Sequence, residues 1–229
     1  RLPLKIYGKK LKPINYTIPV PSAQVKSGLI LASLNTEGKS TIVEKNITRD
    51  HTEIMLESFG ADLNIKKKNN CKYISIVGKK ELTSKNIDVP SDLSSSSFFI
   101  VAALINKNSN LLIKNININP SRDGILIALK KMGANININN KRLLNNEIVA
   151  DILVSSSELN GCELDEEMAK LMIDEYPILA IAASFAKTPS VFKGLKELKV
   201  KESDRLELIR FNLSNCGVKC HVDGDDLYI

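Results

Sequence analysis

Lys199-Val200-Lys201-Glu202-Ser203-Asp204-Arg205 is the densest run of chemically useful side chains in the sequence, and Met172-Ile173-Asp174-Glu175-Tyr176-Pro177 lies upstream of it. The spacing places Lys201, Glu202 and Arg205 at the start of one predicted helix and Asp174 at the start of the helix before it. Such a mixture suits a site that grips an anionic substrate and moves protons. Lys and Arg hold phosphate or carboxylate by charge-assisted hydrogen bonds. Carboxylates in differing environments can divide acid and base roles.

The elements that must position these residues follow a repeat. Pro21-Ser22-Ala23-Gln24 opens a predicted helix over 22–35, followed by a turn at Gly38, a strand over 40–43, and Thr48-Arg49-Asp50 leading a second helix that Phe59-Gly60-Ala61 closes. A second copy runs from Pro90-Ser91-Asp92 through a helix over 96–105, a strand over 111–113, Ser121-Arg122-Asp123, and a helix closed by Met132-Gly133-Ala134. A looser third copy begins at Asp174, has its strand over 190–192, and continues through Glu202-Ser203-Asp204-Arg205 to Cys216-Gly217-Val218. The period, roughly seventy to eighty-five residues, is too long for a solenoid and fits a compact β-α-β-α-β unit. The first helix of each copy is apolar nearly all round, as in Ile178-Leu179-Ala180-Ile181-Ala182-Ala183, which belongs inside a domain. The fold class is therefore α/β (α+β), with buried helices wrapped by sheets. Polar, turn-rich residues 78–86 put a domain boundary near Asp88, giving domains 1–88 and 89–229.

Composition narrows the classes of function. The chain has 229 residues, 43% of them hydrophobic, enough for a real core, and Trp is absent. A net charge of +6 suits anionic partners, yet the basic residues form no long run and no aromatic groups are interleaved with them, which speaks against nucleic acid. Cys71, Cys162, Cys216 and Cys220 lack zinc-ligand spacing, so reduced structural thiols are expected and a metal site is not. No apolar run has the length of a membrane span, and no signal peptide opens the chain. Residues 2–6 read as the approach to a strand.

These motifs resemble those of the enolpyruvyl transferases, and among them the 5-enolpyruvylshikimate-3-phosphate synthases. The likeness rests on Pro21-Ser22-Ala23-Gln24-Val25-Lys26-Ser27, Thr48-Arg49-Asp50-His51-Thr52-Glu53, Asn119-Pro120-Ser121-Arg122, Ile173-Asp174-Glu175-Tyr176-Pro177 and Val200-Lys201-Glu202-Ser203-Asp204-Arg205. The Ser-Ala-Gln-Val-Lys form is similar to the class II bacterial branch, often glyphosate-tolerant. The resemblance implies repeated βαβαββ units in two inside-out, barrel-like domains that close on a cleft. It implies transfer of the enolpyruvyl group of phosphoenolpyruvate to the 5-hydroxyl of shikimate 3-phosphate, with no cofactor, in a cytoplasmic enzyme that is a monomer when complete. It also implies a chain truncated at both ends: 1–88 would be the C-terminal part of one domain and 89–229 most of the other. A Lys-Ser…Arg segment and a phosphoenolpyruvate-binding Arg would then precede residue 1, and a further Arg and Lys would follow residue 229.

By the same resemblance, Asp174 is the base that accepts the 5-hydroxyl proton, and Glu202 carries the proton to and from C3 of the enolpyruvyl group. Lys201 contacts the shikimate ring substituents and Arg205 grips the phosphoenolpyruvate carboxylate. Ser22 holds the 3-phosphate beside Ala23, Gln24 lies between the substrates, and Arg49 is a second phosphate contact. Each has a plainer alternative. Asp174 and Ser22 could be simple helix N-caps, Glu202 a first-turn acid facing the helix dipole, and Lys201 and Arg205 solvated cations. Arg122 is expected to be structural, and Lys26 is left outside the site. Competing functions are a UDP-sugar enolpyruvyl transferase, a non-catalytic piece that binds phosphorylated ligands, and a nucleic-acid-binding module.

Overall fold

The computed structural model describes residues 3–229, which divide into two compact units, one ending at Ile87 and one spanning 88–229.

The first unit runs β1 (Asn15–Thr17), α1 (Ala23–Leu34), β2 (Gly38–Glu44), α2 (His51–Ser58), β3 (Leu63–Lys68) and β4 (Cys71–Gly78), one complete βαβαββ copy. Its sheet has the order β1-β2-β4-β3, with β1 parallel to β2 and the other pairs antiparallel. The alternation of β4 is strict, and Ile74 and Ile76 turn inward to meet Ile42 of β2, Ile30 of α1 and Leu56 of α2. Ser22 caps α1 as expected, its Oγ accepting from the Val25 amide at 3.2 Å. The strand approach read at 2–6 is not a strand over its described residues: Leu4 and Ile6 are exposed and pair with no neighbour strand. Arg1 and Leu2 lie outside the described residues.

The second unit holds two further copies. The first has α3 (Leu93–Ile105), β5 (Asn110–Asn117), α4 (Gly124–Lys131), β6 (Asn135–Leu144) and β7 (Glu147–Ser155), and a parallel bridge between Ser91 and Ile116 stands where β1 stands in the first unit. The second has β8 (Glu163–Leu164), α5 (Glu166–Met172), α6 (Tyr176–Ser184), β9 (Val191–Phe192), a 3₁₀ turn (Lys196–Lys199), α7 (Arg205–Asn215), β10 (His221–Asp223) and β11 (Asp226–Tyr228). The sheets have orders β5-β7-β6 and β10-β11-β9-β8, and β8 again runs parallel to β9. The opening strand, or its bridge, is thus parallel to the second strand in each copy.

In each copy the last helix ends two residues before a glycine with positive φ, at Gly60 (78°), Gly133 (89°) and Gly217 (83°). A side chain there would strain the left-handed turn that stops the helix and sends the chain into its next strand.

Helices α3 and α6 are buried as expected, whereas α1 buries only Lys26, Ile30 and Ser33 and leaves Val25 and Leu31 exposed. Ile178, Leu179, Ala180, Ala182 and Ala183 of α6 are buried, and Tyr176 packs edge-on to Phe192 at 5.7 Å. Helix α3 starts three residues before the expected Ser96, because Asp92 accepts from the Ser95 amide at 2.7 Å and caps a serine run that would otherwise begin poorly. One flank of α3 carries Phe98 and Phe99, which are exposed rather than interior. Helix α5 was not expected. Its signals are a capping Asp165, Glu166 and Glu167 in the first turn, and Lys170 in the last.

Candidate active site

In the second unit, one guanidinium joins two of the expected residues. Arg205 is the first residue of α7, which Asp204 caps by accepting from the Glu207 amide at 3.0 Å. From there its Nη1 donates to Asp174 Oδ1 at 3.1 Å, while Nη2 and Nε donate to Glu202 Oε2 at 2.6 and 3.1 Å. The two carboxylates differ in exposure: the Asp174 side chain is 35% accessible and that of Glu202 74%. Asp174, Glu202 and Arg205 therefore form one contiguous cluster at the α5–α6 and 3₁₀–α7 turns.

Both acids depart from their simple capping alternatives. The chain passes from α5 into α6 through a tight turn, with the Glu175 amide donating to the Met172 carbonyl at 3.0 Å. That leaves Glu175 at the N-cap position in a helical conformation with no side-chain cap bond, and Asp174 turned to Arg205 instead. Glu202 precedes the cap of α7 and is not in its first turn, where Glu207 pairs with Arg210. A hydrogen bond from its own backbone N–H, and then the Arg205 contact, holds the Glu202 carboxyl below its ordinary pKa. Lys201 is beside this cluster in sequence, but its ammonium pairs with Glu197 at 3.2 Å.

A second polar cluster sits under Asp174. Glu175 is buried; the Ser94 hydroxyl donates to its Oε1, and Arg122 donates to Ser94 Oγ. The Arg122 guanidinium also lies 3.8 Å from Glu175 and 3.6 Å from Asp92. Burial raises the Glu175 pKa, against the opposing pull of Ser94 and Arg122, and the adjacent Asp174 charge raises it further. Sequence reasoning gave Arg122 a structural role and missed Ser94 and Glu175. An acid beside Asp174 just before an apolar helix was the available signal.

Arg205 also lies on the wall of an apolar groove of about 480 Å³ lined by Phe98, Pro177, Ile181 and Leu208. Low-polarity walls beside a guanidinium strengthen its hold on a planar anion.

In the first unit, Ser22 and Ala23 are half-buried and Gln24 is exposed at the start of α1, where helix geometry leaves amides without intrahelical acceptors. Arg49 is half-buried in the turn just before α2. Lys26 is fully buried, between Glu44 at 3.1 Å and Glu53 at 3.0 Å. Among the described residues there is no group of His, Cys, Asp and Glu arranged to hold a metal, and no helix is long and apolar enough to cross a membrane.

Comparison with known proteins adds to this geometry. The family model for EPSP synthase (3-phosphoshikimate 1-carboxyvinyltransferase) matches residues 1–229. Curated 3-phosphoshikimate 1-carboxyvinyltransferases from Brucella melitensis biotype 2 and a Pseudomonas species are each 49% identical over 222 residues, 96% of this chain and 49% of theirs. An EPSP synthase structure from Acinetobacter baumannii superimposes with a TM-score of 0.86 at 42% identity, covering 97% of this chain and 49% of that one. The enolpyruvyl transferase NikO from Streptomyces tendae gives a TM-score of 0.63 at 18% identity, a likeness of fold alone. The chain thus spans about half the length of the relatives it matches.

Proposed function

The chain belongs to the EPSP synthase family, and from that premise we propose that the complete protein transfers the enolpyruvyl group of phosphoenolpyruvate to the 5-hydroxyl of shikimate 3-phosphate. Residues 1–88 contribute the C-terminal part of one domain and 89–229 most of the second. The observation that carries the reading is Arg205 held between Asp174 and Glu202.

Asp174 accepts the proton of the 5-hydroxyl as that oxygen bonds to C2 of phosphoenolpyruvate, and Glu202 delivers a proton to C3. In the tetrahedral adduct Glu202 takes a proton back from C3, the double bond re-forms, and phosphate leaves from C2. Arg205 exchanges its protein carboxylates for the substrate carboxylate, a planar ligand matched to the guanidinium fork. The exchange frees both acids for proton transfer, and without its cationic partner Glu202 holds more tightly the proton that it delivers. Lys201 leaves Glu197 to reach the hydroxyls of the shikimate ring. Ser22 and the amides of Ala23 and Gln24 bind the 3-phosphate, Gln24 lies between the two substrates, and Arg49 supplies a second cationic contact. Fixed cations around two phosphates and a carboxylate supply the larger share of the acceleration, and proton transfer adds about 10²–10⁴.

This chemistry calls for no cofactor, and we place the enzyme in the cytoplasm as a monomer. The test is phosphate release from phosphoenolpyruvate by the complete protein. Release that depends on shikimate 3-phosphate supports the reading. Binding of both ligands with no release would make the protein a binding module instead.

A further inference from the structure

The turn that carries Arg49 is held from beneath by a buried cluster of charges that the proposed mechanism does not use. Lys26, Glu44, Glu53 and Lys72 are each no more than 2% exposed. The Lys26 ammonium donates to the Arg49 carbonyl at 2.7 Å and the Thr48 carbonyl at 3.4 Å, and pairs with Glu44 at 3.1 Å and Glu53 at 3.0 Å. Glu44 Oε1 accepts from the Thr48 amide at 3.1 Å and from its hydroxyl at 2.5 Å. Lys72, the cross-strand neighbour of Glu44, pairs with Glu53 at 2.9 Å and lies 3.9 Å from Asp50. The residues on either side of Arg49 are therefore held, and its own carbonyl is bound. A hydrogen bond of 2.7 Å between Ser27 and Thr52 adds a second tie between α1 and α2.

Burying charge is costly unless each group is paired and its remaining polar atoms are satisfied. Two lysines offset the charge of two glutamates, although Glu44 Oε2 and Glu53 Oε2 have no hydrogen-bond partner among the described residues, and Lys26 reaches from α1 to the Arg49 turn. Lys26 is one turn into α1, whose start carries Ser22, Ala23 and Gln24. We propose that Lys26 is a positioning residue for phosphate binding: its ammonium fixes the Arg49 turn against α1, so that the arginine and the helix start address one anion. The inference rests on the phosphate-binding role proposed above for Ser22, Ala23, Gln24 and Arg49, and it adds the residue that sets their separation.

The test is titration of the chain with inorganic phosphate, followed by NMR at the backbone amides of residues 22–24 and 49. In the wild type, both sets of amides should shift with a single affinity. Lys26→Met should weaken phosphate roughly ten-fold, the scale of one charge-assisted contact, and phosphate should then shift the α1 amides without Arg49. Because K26M deprives two buried carboxylates of a partner, the charge-balanced K26M/E53Q is measured beside it, with E53Q as control. K26M/E53Q should bind phosphate roughly ten-fold more weakly than E53Q. Lys26→Met combined with Arg49→Ala should lose no more than Arg49→Ala alone, which a general loss of stability would not produce.

Phosphate binding by K26M/E53Q as tight as by E53Q would overturn the inference. So would wild-type shifts at residues 22–24 with none at Arg49, or no shifts at either. Failure of the enolpyruvyl reading would show separately, as absent turnover in the complete protein with phosphate still bound here.

Discussion

Arg205 stands 3.1 Å from Asp174, 31 positions away in sequence, across the gap between two helix starts. The same guanidinium holds Glu202 in its other fork, so one arginine sets the place of both proposed proton carriers.

Removing it should therefore be visible in an acid titration. The Glu202 carboxyl is held below its ordinary value of 4.5 by its own backbone N–H and then by Arg205. In Arg205→Gln its pKa, read from the side-chain carboxyl carbon by NMR, should rise toward that value. An unchanged titration would mean that the contact does not persist in solution. In the complete protein, Arg205→Ala should mainly weaken phosphoenolpyruvate, and unchanged affinity for it would remove Arg205 from the site.

Glu175 provides a pH test of the cluster beneath Asp174. Burial raises its pKa above the ordinary 4.5, so the folded state holds the proton more tightly than the unfolded chain. Its stabilising contribution is complete below the unfolded pKa and is lost as pH climbs through the raised folded value. The melting temperature of the wild type should therefore fall relative to Glu175→Gln as pH rises from 4.5 toward neutrality. Parallel curves for the two proteins over that range would contradict the assignment.

The Tyr176 hydroxyl is buried without a hydrogen-bond partner among the described residues, and its ring packs on Phe192. Deleting an unpaired buried hydroxyl relieves its desolvation, so Tyr176→Phe should change stability by no more than about 1 kcal/mol, in the stabilising direction. A loss larger than this in chemical denaturation would show that the hydroxyl has a partner in solution.

The repeat was legible because each copy is punctuated by the same local physics: a polar residue that opens a helix, and a glycine that ends the second one. Gly60, Gly133 and Gly217 mark it even where the third copy diverges. The inserted α5 was obscured because its seven residues are too few for apolar periodicity, although Asp165 and the acids after it were there to read. Buried charge was also legible in principle. Lys72 shares a strand face with Ile74 and Ile76, and Glu44 shares one with Ser40 and Ile42, so each places a charge where alternation demands an inward side chain. The ties from Lys26 to Arg49, and from Ser94 to Glu175, join residues that are distant in sequence by side-chain contacts. No local pattern encodes them. Motifs could point to Asp174, Glu202 and Arg205 as residues of one site, but not to one guanidinium bridging both acids while Lys201 turns to Glu197.

The most direct measurement is single-turnover kinetics of the complete protein carrying Asp174→Asn or Glu202→Gln, with binding of shikimate 3-phosphate and phosphoenolpyruvate measured in parallel. Each variant should bind both ligands within a few-fold of the wild type and lose about 10²–10⁴ in the rate of phosphate release, the range of a general acid or base. Near-wild-type release from both variants would contradict the account.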